Sequence, residues 1–184
     1  MADGALVLVV GPSGAGKDTL IAGARARLGE DRRFVFPRRV VTRTAMAELE
    51  DHDSVTPEEF ESSRRQGAYA LDWQAHGLSY GIPIRVIDDM AQGRMVVANT
   101  SRRVLHHARL RFARCHVLLV TARPDIRAGR LAGRGRETTE EVAARLLHEG
   151  APIPDGLEAV VIDNSGSLDA GVAAFTTALV TLAR

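Results

Sequence analysis

The chain opens on six consecutive apolar residues, Ala5-Leu-Val-Leu-Val-Val10, with no polar position among them. A strand with one wet face alternates, whereas a strand covered on both faces does not need to. The run stops at Gly11, and residues 17–28 read as a helix that ends near Gly29. Residues 35–41 form a second strand candidate, interrupted by Pro37, and residues 42–82 are mixed and polar. Within that stretch Thr56-Pro57-Glu58-Glu59 has the form of a helix start, with proline at the first helical position. Further helices are predicted over 83–92, 101–112, 124–131, 138–149 and 168–182, the fourth starting with a Thr138-x-x-Glu141 capping pattern. Strands are predicted over 94–98, 115–120 and 159–162. Strands that alternate with helices imply an α/β fold with a parallel sheet. No repeat, linker or low-complexity tract is evident.

Composition narrows the function classes. At 184 residues, 45% hydrophobic and 26% charged, the chain fits one globular domain able to bury a core without staples. A formal net charge of +1 gives no global electrostatic case for nucleic-acid binding. The single cysteine, Cys115, excludes an internal disulfide and a cysteine-rich zinc site. The longest apolar run is too short to span a bilayer, and Met1-Ala2-Asp3-Gly4 has no basic signal-peptide region. The expectation is a cytoplasmic protein without membrane or nucleic-acid partners; its oligomeric state is not written in the chain. His106 and His107 are adjacent on a helix and cannot chelate together, while His116 is expected to be a satisfied core histidine.

One bias is more telling. Among 24 basic residues only Lys17 is lysine, and it stands in a glycine-rich loop. An ammonium is a compact point charge where guanidinium is a wide planar fork. Gly11-Pro12-Ser13-Gly14-Ala15-Gly16-Lys17 matches G-x-x-x-x-G-K between a strand and a helix. Glycines let the backbone curl so that its N–H groups converge on an anion, and the helix N-terminus adds partial positive charge. Lys17 would reach the β- and γ-phosphates of ATP. The next position, ordinarily a Ser or Thr that binds Mg²⁺ through its hydroxyl, is Asp18, a hard oxygen ligand that is the metal candidate here. The macrodipole alone would also favour an acid there. Thr19 belongs to the same nucleotide-binding stretch, but it points about 100° further round the helix and does not replace the missing hydroxyl.

A second cluster lies at Arg130-Leu-Ala-Gly-Arg134-Gly-Arg136 and Arg145. Phosphoryl transfer spreads charge over the oxygens of the moving group, and planar donors on a closing loop suit that charge. Residues 130–146 are therefore a candidate lid.

Loop and lid together resemble those of guanylate kinases, over nearly the whole chain. Thr42-Arg43 is similar to the end of that family's Thr-Thr-Arg element, Asp51 to Phe60 to the segment entering its acceptor subdomain, and Gly77-Leu-Ser-Tyr80-Gly81 to its Gly-Asn-x-Tyr-Gly turn. The resemblance implies a P-loop nucleoside-monophosphate-kinase-like fold, with an acceptor subdomain over about 36–82. It also implies phosphate-facing catalytic roles for Arg130, Arg134 and Arg145 beside Lys17. Guanylate kinases read their base with a Tyr, a Glu and a Ser or Thr, where this chain places His52, Leu71 and Ile82. Their acidic strand end is replaced by Ala98-Asn99-Thr100, a loss for which Asp18 could compensate.

These departures resemble a subgroup, the ribose 1,5-bisphosphate phosphokinases of phosphonate breakdown. Gly16-Lys17-Asp18, Trp73-x-Ala75-His76-Gly77-Leu78-x-Tyr80-Gly81 and Val97-x-Asn99-x-Ser101-Arg102 carry that likeness. It implies ATP and Mg²⁺ as donor and cofactor, and a small phosphorylated sugar as acceptor, converted to 5-phosphoribosyl 1-diphosphate. An acceptor with two phosphates needs cations, and Arg39, Arg43 and Arg102, with Tyr80, are the substrate-binding candidates; Arg38 and Arg103 could add to them. A guanylate or other nucleoside monophosphate kinase is the alternative. A non-catalytic guanylate-kinase-like binding module is a further one, although it would have no need of an intact loop and lid.

Overall fold

The computed structural model describes residues 4–43, 52–75, 77–133, 152–154 and 156–184. Strand β1 (Ala5–Val10) lies at the centre of a five-stranded parallel sheet and is buried at every position. Its neighbours are β7 (Met95–Asn99) on one side and β8 (Cys115–Thr121) on the other, with β2 (Phe34–Val35) and β9 (Ala159–Asp163) at the edges. The six apolar residues of β1 divide by parity, as strand geometry requires. Ala5, Val7 and Val9 pack with α1 (Lys17–Leu28) and α6 (Leu168–Leu182) through Leu20, Val172 and Phe175. Leu6, Leu8 and Val10 belong to the opposite cluster, which includes Val86 of α3 (Val86–Ala91) and Leu105 of α4 (Leu105–Arg111).

A second sheet grows out between β2 and α3. It has the order β4-β3-β6-β5, built from β3 (Arg39–Val41), β4 (His52–Ser54), β5 (Tyr69–Ala75) and β6 (Leu78–Pro83). The single strand predicted over 35–41 is in fact two, split at Pro37 and placed in different sheets. A proline lacks the N–H that a continuous ladder would need. The predicted Thr56 start opens α2 (Pro57–Arg65): the Thr56 hydroxyl accepts from Glu59 N at 3.2 Å, and Thr56 N donates to the Glu59 carboxylate at 2.8 Å. The Gly77-to-Gly81 stretch, expected as a turn, is mostly strand. Gly77, with φ of 72°, makes the hairpin corner, and Leu78 onward pairs back on β5. The helix predicted over 101–112 begins as a 3-10 turn at Arg102–Val104 before α4. That predicted over 83–92 shortens to α3, while α5 (Pro124–Ala132) and α6 fall close to their predicted bounds. The predicted helix over 138–149 lies outside the described residues.

Cys115 and His116 start β8. Burial pushes the Cys115 thiol up to about 11, which keeps it a protonated, unreactive core group. His116 is not the satisfied core histidine expected, because its Nε2 is buried with no hydrogen-bond partner among the described residues. Burial, helped by the Arg114 guanidinium, holds its pKa below the ordinary 6.5. An unfolded chain therefore takes up this proton at a higher pH than the folded one, so stability is complete above about pH 6.5 and declines as pH falls through the folded value. His116→Gln is expected to flatten the fall of Tm between pH 7.5 and 5.5; a slope equal to the wild type would contradict this account.

Candidate active site

The loop after β1 leaves the sheet where its neighbours diverge to β7 and β8, the crevice at strand C-termini where open parallel sheets bind ligands. Gly11, Gly14 and Gly16 have positive φ of 153°, 78° and 90°. At Gly16 a Cβ would also come within 2.5 Å of the Asn164 amide nitrogen, so both backbone and space demand glycine. Gly16 is the N-cap of α1 and offers no side-chain cap, which leaves the first-turn N–H groups facing the loop. Lys17 Nζ donates to the carbonyls of Gly11 at 2.8 Å and Pro12 at 3.2 Å, so the ammonium sits folded over the loop it would serve.

The loop is braced from outside by three side chains. Asn164, which follows β9 and is 2% exposed, donates from Nδ2 to Ala15 O at 2.8 Å. Arg127 of α5 donates from Nε to Ser13 O at 3.0 Å. Arg130 donates to Asn164 O at 2.9 Å, and more loosely to Ala15 O and Gly14 O at 3.4 and 3.5 Å. Arg130 thus stands against the phosphate loop, bonded there to main-chain carbonyls. Arg127 and Asn164 escaped the sequence reading. The signal for Asn164 was its position at the C-terminal end of the last parallel strand; nothing in the sequence marks Arg127 among 23 arginines.

The second sheet meets the loop through Asp18. Its Oδ1 accepts from Asn99 Nδ2 at 2.5 Å and lies 3.4 Å from Arg39 Nη2. The strand end that lost its expected acids therefore holds the acid of the loop. The Arg39 guanidinium lies 5.8 Å from the centre of the Tyr80 ring, which stacks on Trp73 at 5.4 Å with 7° between planes. Arg38 turns away to Asp53 at 3.2 Å and the His52 carbonyl at 2.9 Å. Arg43 follows Thr42, which is tied to β6 by Thr42 N to Ser79 O at 3.0 Å and Ser79 N to Thr42 Oγ1 at 2.8 Å. Arg102 opens the 3-10 turn after β7. His52, in register with Arg39, is 8% exposed, and its Nδ1 has no partner among the described residues. Leu71 and Ile82, register partners across β5 and β6, are 1% and 0% exposed and belong to the core cluster with Ala98, Val104 and Leu105. Arg134, Arg145, His76 and the start of the predicted Asp51–Phe60 segment lie outside the described residues.

Asp18 fits a divalent metal. It is a hard oxygen donor at the head of α1, its side chain is 44% exposed, and both of its contacts fall on Oδ1. It would act together with nucleotide phosphates; no cluster of three metal-ligating side chains occurs among the described residues.

A phosphate loop at the switch point of a parallel sheet, with a second sheet reaching it through Asp18, defines a P-loop kinase of guanylate-kinase-like fold. The chain is similar in structure to a guanylate kinase from Anaplasma phagocytophilum, with a TM-score of 0.68 and 17% identity over 98% of this chain and 86% of that one. No protein-family model matches it. In sequence it is 52% identical over 170 residues to "Ribose 1,5-bisphosphate phosphokinase PhnN" of Acidiphilium cryptum (92% of this chain, 90% of that protein). It is 48% identical over 172 residues to the protein of the same name from Brucella melitensis (94% and 90%). The chain belongs to the ribose 1,5-bisphosphate phosphokinase family and is an ATP-dependent phosphotransferase. No helix among its described residues is long and apolar enough to cross a membrane.

Proposed function

We propose that the chain transfers the γ-phosphoryl group of ATP to the 1-phosphate of ribose 1,5-bisphosphate. An oxygen of that phosphate bonds to the γ-phosphorus, the bond from that phosphorus to the bridging oxygen of ADP breaks, and the products are ADP and 5-phosphoribosyl 1-diphosphate. The attacking oxygen is already ionised, so no general base is needed. Gly11 to Thr19 hold the nucleotide, and Lys17 neutralises the β- and γ-phosphates. Arg130 from the end of α5, with Arg134 and Arg145, meets the moving group. Arg39, Arg43 and Arg102 supply charge for the acceptor phosphates, and Tyr80 supports Arg39. Mg²⁺, with Asp18 as the residue that would hold it, supplies further neutralisation of the donor phosphates.

The observation that carries this acceptor is the buried Leu71–Ile82 pair. Where a base-reading site needs polar groups, this chain has two side chains sunk in the core, in a sheet whose inner strand β3 carries Arg39. Each polar base edge left unpaired costs about 1–3 kcal/mol, so two failures lower efficiency by roughly 30-fold or more. In assays with Mg²⁺ and ATP, ribose 1,5-bisphosphate is expected to exceed GMP, AMP, CMP and UMP in kcat/KM by at least that factor. ADP release and 5-phosphoribosyl diphosphate formation are the measurements. GMP performing as well as the sugar would return the chain to guanylate-kinase chemistry.

A further inference from the structure

Asp18 has two partners from two parts of the molecule, and they are of different kinds. Asn99 is buried at the end of β7 and holds the carboxylate in place without competing for its charge. Arg39 belongs to the second sheet, and its side chain is only 13% exposed against 44% for Asp18. Its guanidinium has a fixed setting: Asp18 on one side and the face of Tyr80, itself stacked on Trp73, on another. Arg39 is thus the group through which the second sheet is electrostatically tied to the phosphate loop. The same two charges are those that the two substrates require. A divalent cation on the donor phosphates calls for the carboxylate, and a phosphate of the acceptor calls for the guanidinium.

We propose that the Asp18–Arg39 pair is a shared lock between the two substrate sites, so that each substrate tightens the binding of the other. With both sites empty the two charges neutralise each other. An acceptor phosphate on Arg39 dissolves the pair and exposes the carboxylate to the metal–nucleotide; a metal–nucleotide on Asp18 does the same for Arg39 toward the acceptor. Whichever substrate arrives first bears the loss of the pair, and the second does not. This rests on the kinase reading above and adds to it a thermodynamic coupling that is reciprocal by linkage. The pair is partly exposed and 3.4 Å long, so the coupling is modest, about threefold to tenfold in affinity.

The chain carries its own reporter. Trp73 is the sole tryptophan, stacked on the ring beneath Arg39, so its fluorescence senses the acceptor side. Ribose 1,5-bisphosphate is titrated into the full chain alone, with saturating Mg²⁺ and a non-hydrolysable ATP analogue, and with the analogue in EDTA. Calorimetry then measures the reverse, Mg²⁺–analogue binding with and without the sugar. The expected result is a three- to tenfold lower Kd for the sugar with Mg²⁺–nucleotide, the same factor in reverse, and little tightening in EDTA. In Asp18→Asn, whose folding is checked by its Tm, the sugar is expected to bind more tightly than to the wild type without nucleotide, and the coupling factor to fall to about one. A wild-type factor of one, an equal factor in EDTA, or an unchanged factor in Asp18→Asn overturns the lock while leaving the acceptor assignment standing. Should Asp18→Asn fail to fold, the EDTA arm decides. Binding of nucleotide without any binding of the sugar overturns the acceptor assignment, and the lock with it.

Discussion

Replacing Lys17 by arginine is expected to lower turnover by about 100-fold while leaving the fold intact. The structural reason is that Lys17 donates to the Gly11 and Pro12 carbonyls of its own loop at 2.8 and 3.2 Å, which holds the ammonium over the phosphate site. From there a short exchange of carbonyl for phosphate oxygens is all that its single ammonium group needs. An arginine keeps the charge but brings a longer, planar fork into a loop already closed from behind by Asn164, Arg127 and Arg130. The guanidinium has to sit further out and cannot deliver a single donor between the β- and γ-phosphates. Nucleotide affinity should fall far less than kcat, because the loop amides and the α1 N-terminus remain. Steady-state turnover, a calorimetric nucleotide Kd and a Tm separate the three quantities. Near-normal turnover would show that charge alone, rather than a point donor, is what the position supplies.

The central sheet was legible in the pattern of its residues. Six valine-rich apolar residues bounded by Gly4 and Gly11 fit a strand covered on both faces, and the structure buries all six. Thr56 and Pro57 mark a helix start by local chemistry that needs no tertiary partner. The second sheet was less legible for a physical reason. Its strands β3 and β4 have three residues each and mix Arg, His and Asp with valine, so no period of two can develop. The β5 strand carries a register shift between Tyr69 and Leu71 that breaks its alternation. Pro83 ends β6 instead of starting a helix, because the chain still has a strand partner at Tyr69.

At the site the phosphate loop could be read residue by residue, since its chemistry is contiguous in sequence. What joins it to the second sheet could not. Asp18, Arg39 and Asn99 are separated by up to 81 positions, and their meeting is a product of topology: β7 lies beside β1 in register Val9 to Asn99, which delivers the amide next to the head of α1. The substitution of Asp18 for the usual hydroxyl and of Asn99 for the family's acid were each visible as departures. That Asp18 could compensate for the lost acids was legible from the sequence; that it stands in direct contact with Asn99 is visible only in three dimensions. Arg127 and Asn164 were illegible for a similar reason: they recognise backbone carbonyls, which any sequence supplies.

Restoring the guanylate-kinase acid by Leu71→Glu is expected to destabilise the protein by at least ~3 kcal/mol without conferring use of GMP. Leu71 is 1% exposed, faces Ile82 across the hairpin at 0%, and shares an apolar cluster with Leu6, Ala98, Val104 and Leu105. A carboxylate there has no donor among these neighbours, so it must be buried charged, be protonated, or force the hairpin off the core. In a chain of this size such a loss corresponds to a Tm lowered by roughly 6–12 °C. Leu71→Met, which keeps the volume and apolarity, is the control and should cost less than about 1.5 kcal/mol. Melting curves and a GMP assay on the three proteins test two statements at once. If the position lined an open base pocket, the glutamate would be solvated, stability would hold and GMP turnover would rise. If the position is part of the core, as the burial of both partners indicates, stability falls and GMP remains as poor an acceptor as before. The base pocket of the fold is then closed in this chain by hydrophobic packing, and selectivity against nucleotides is built into its stability.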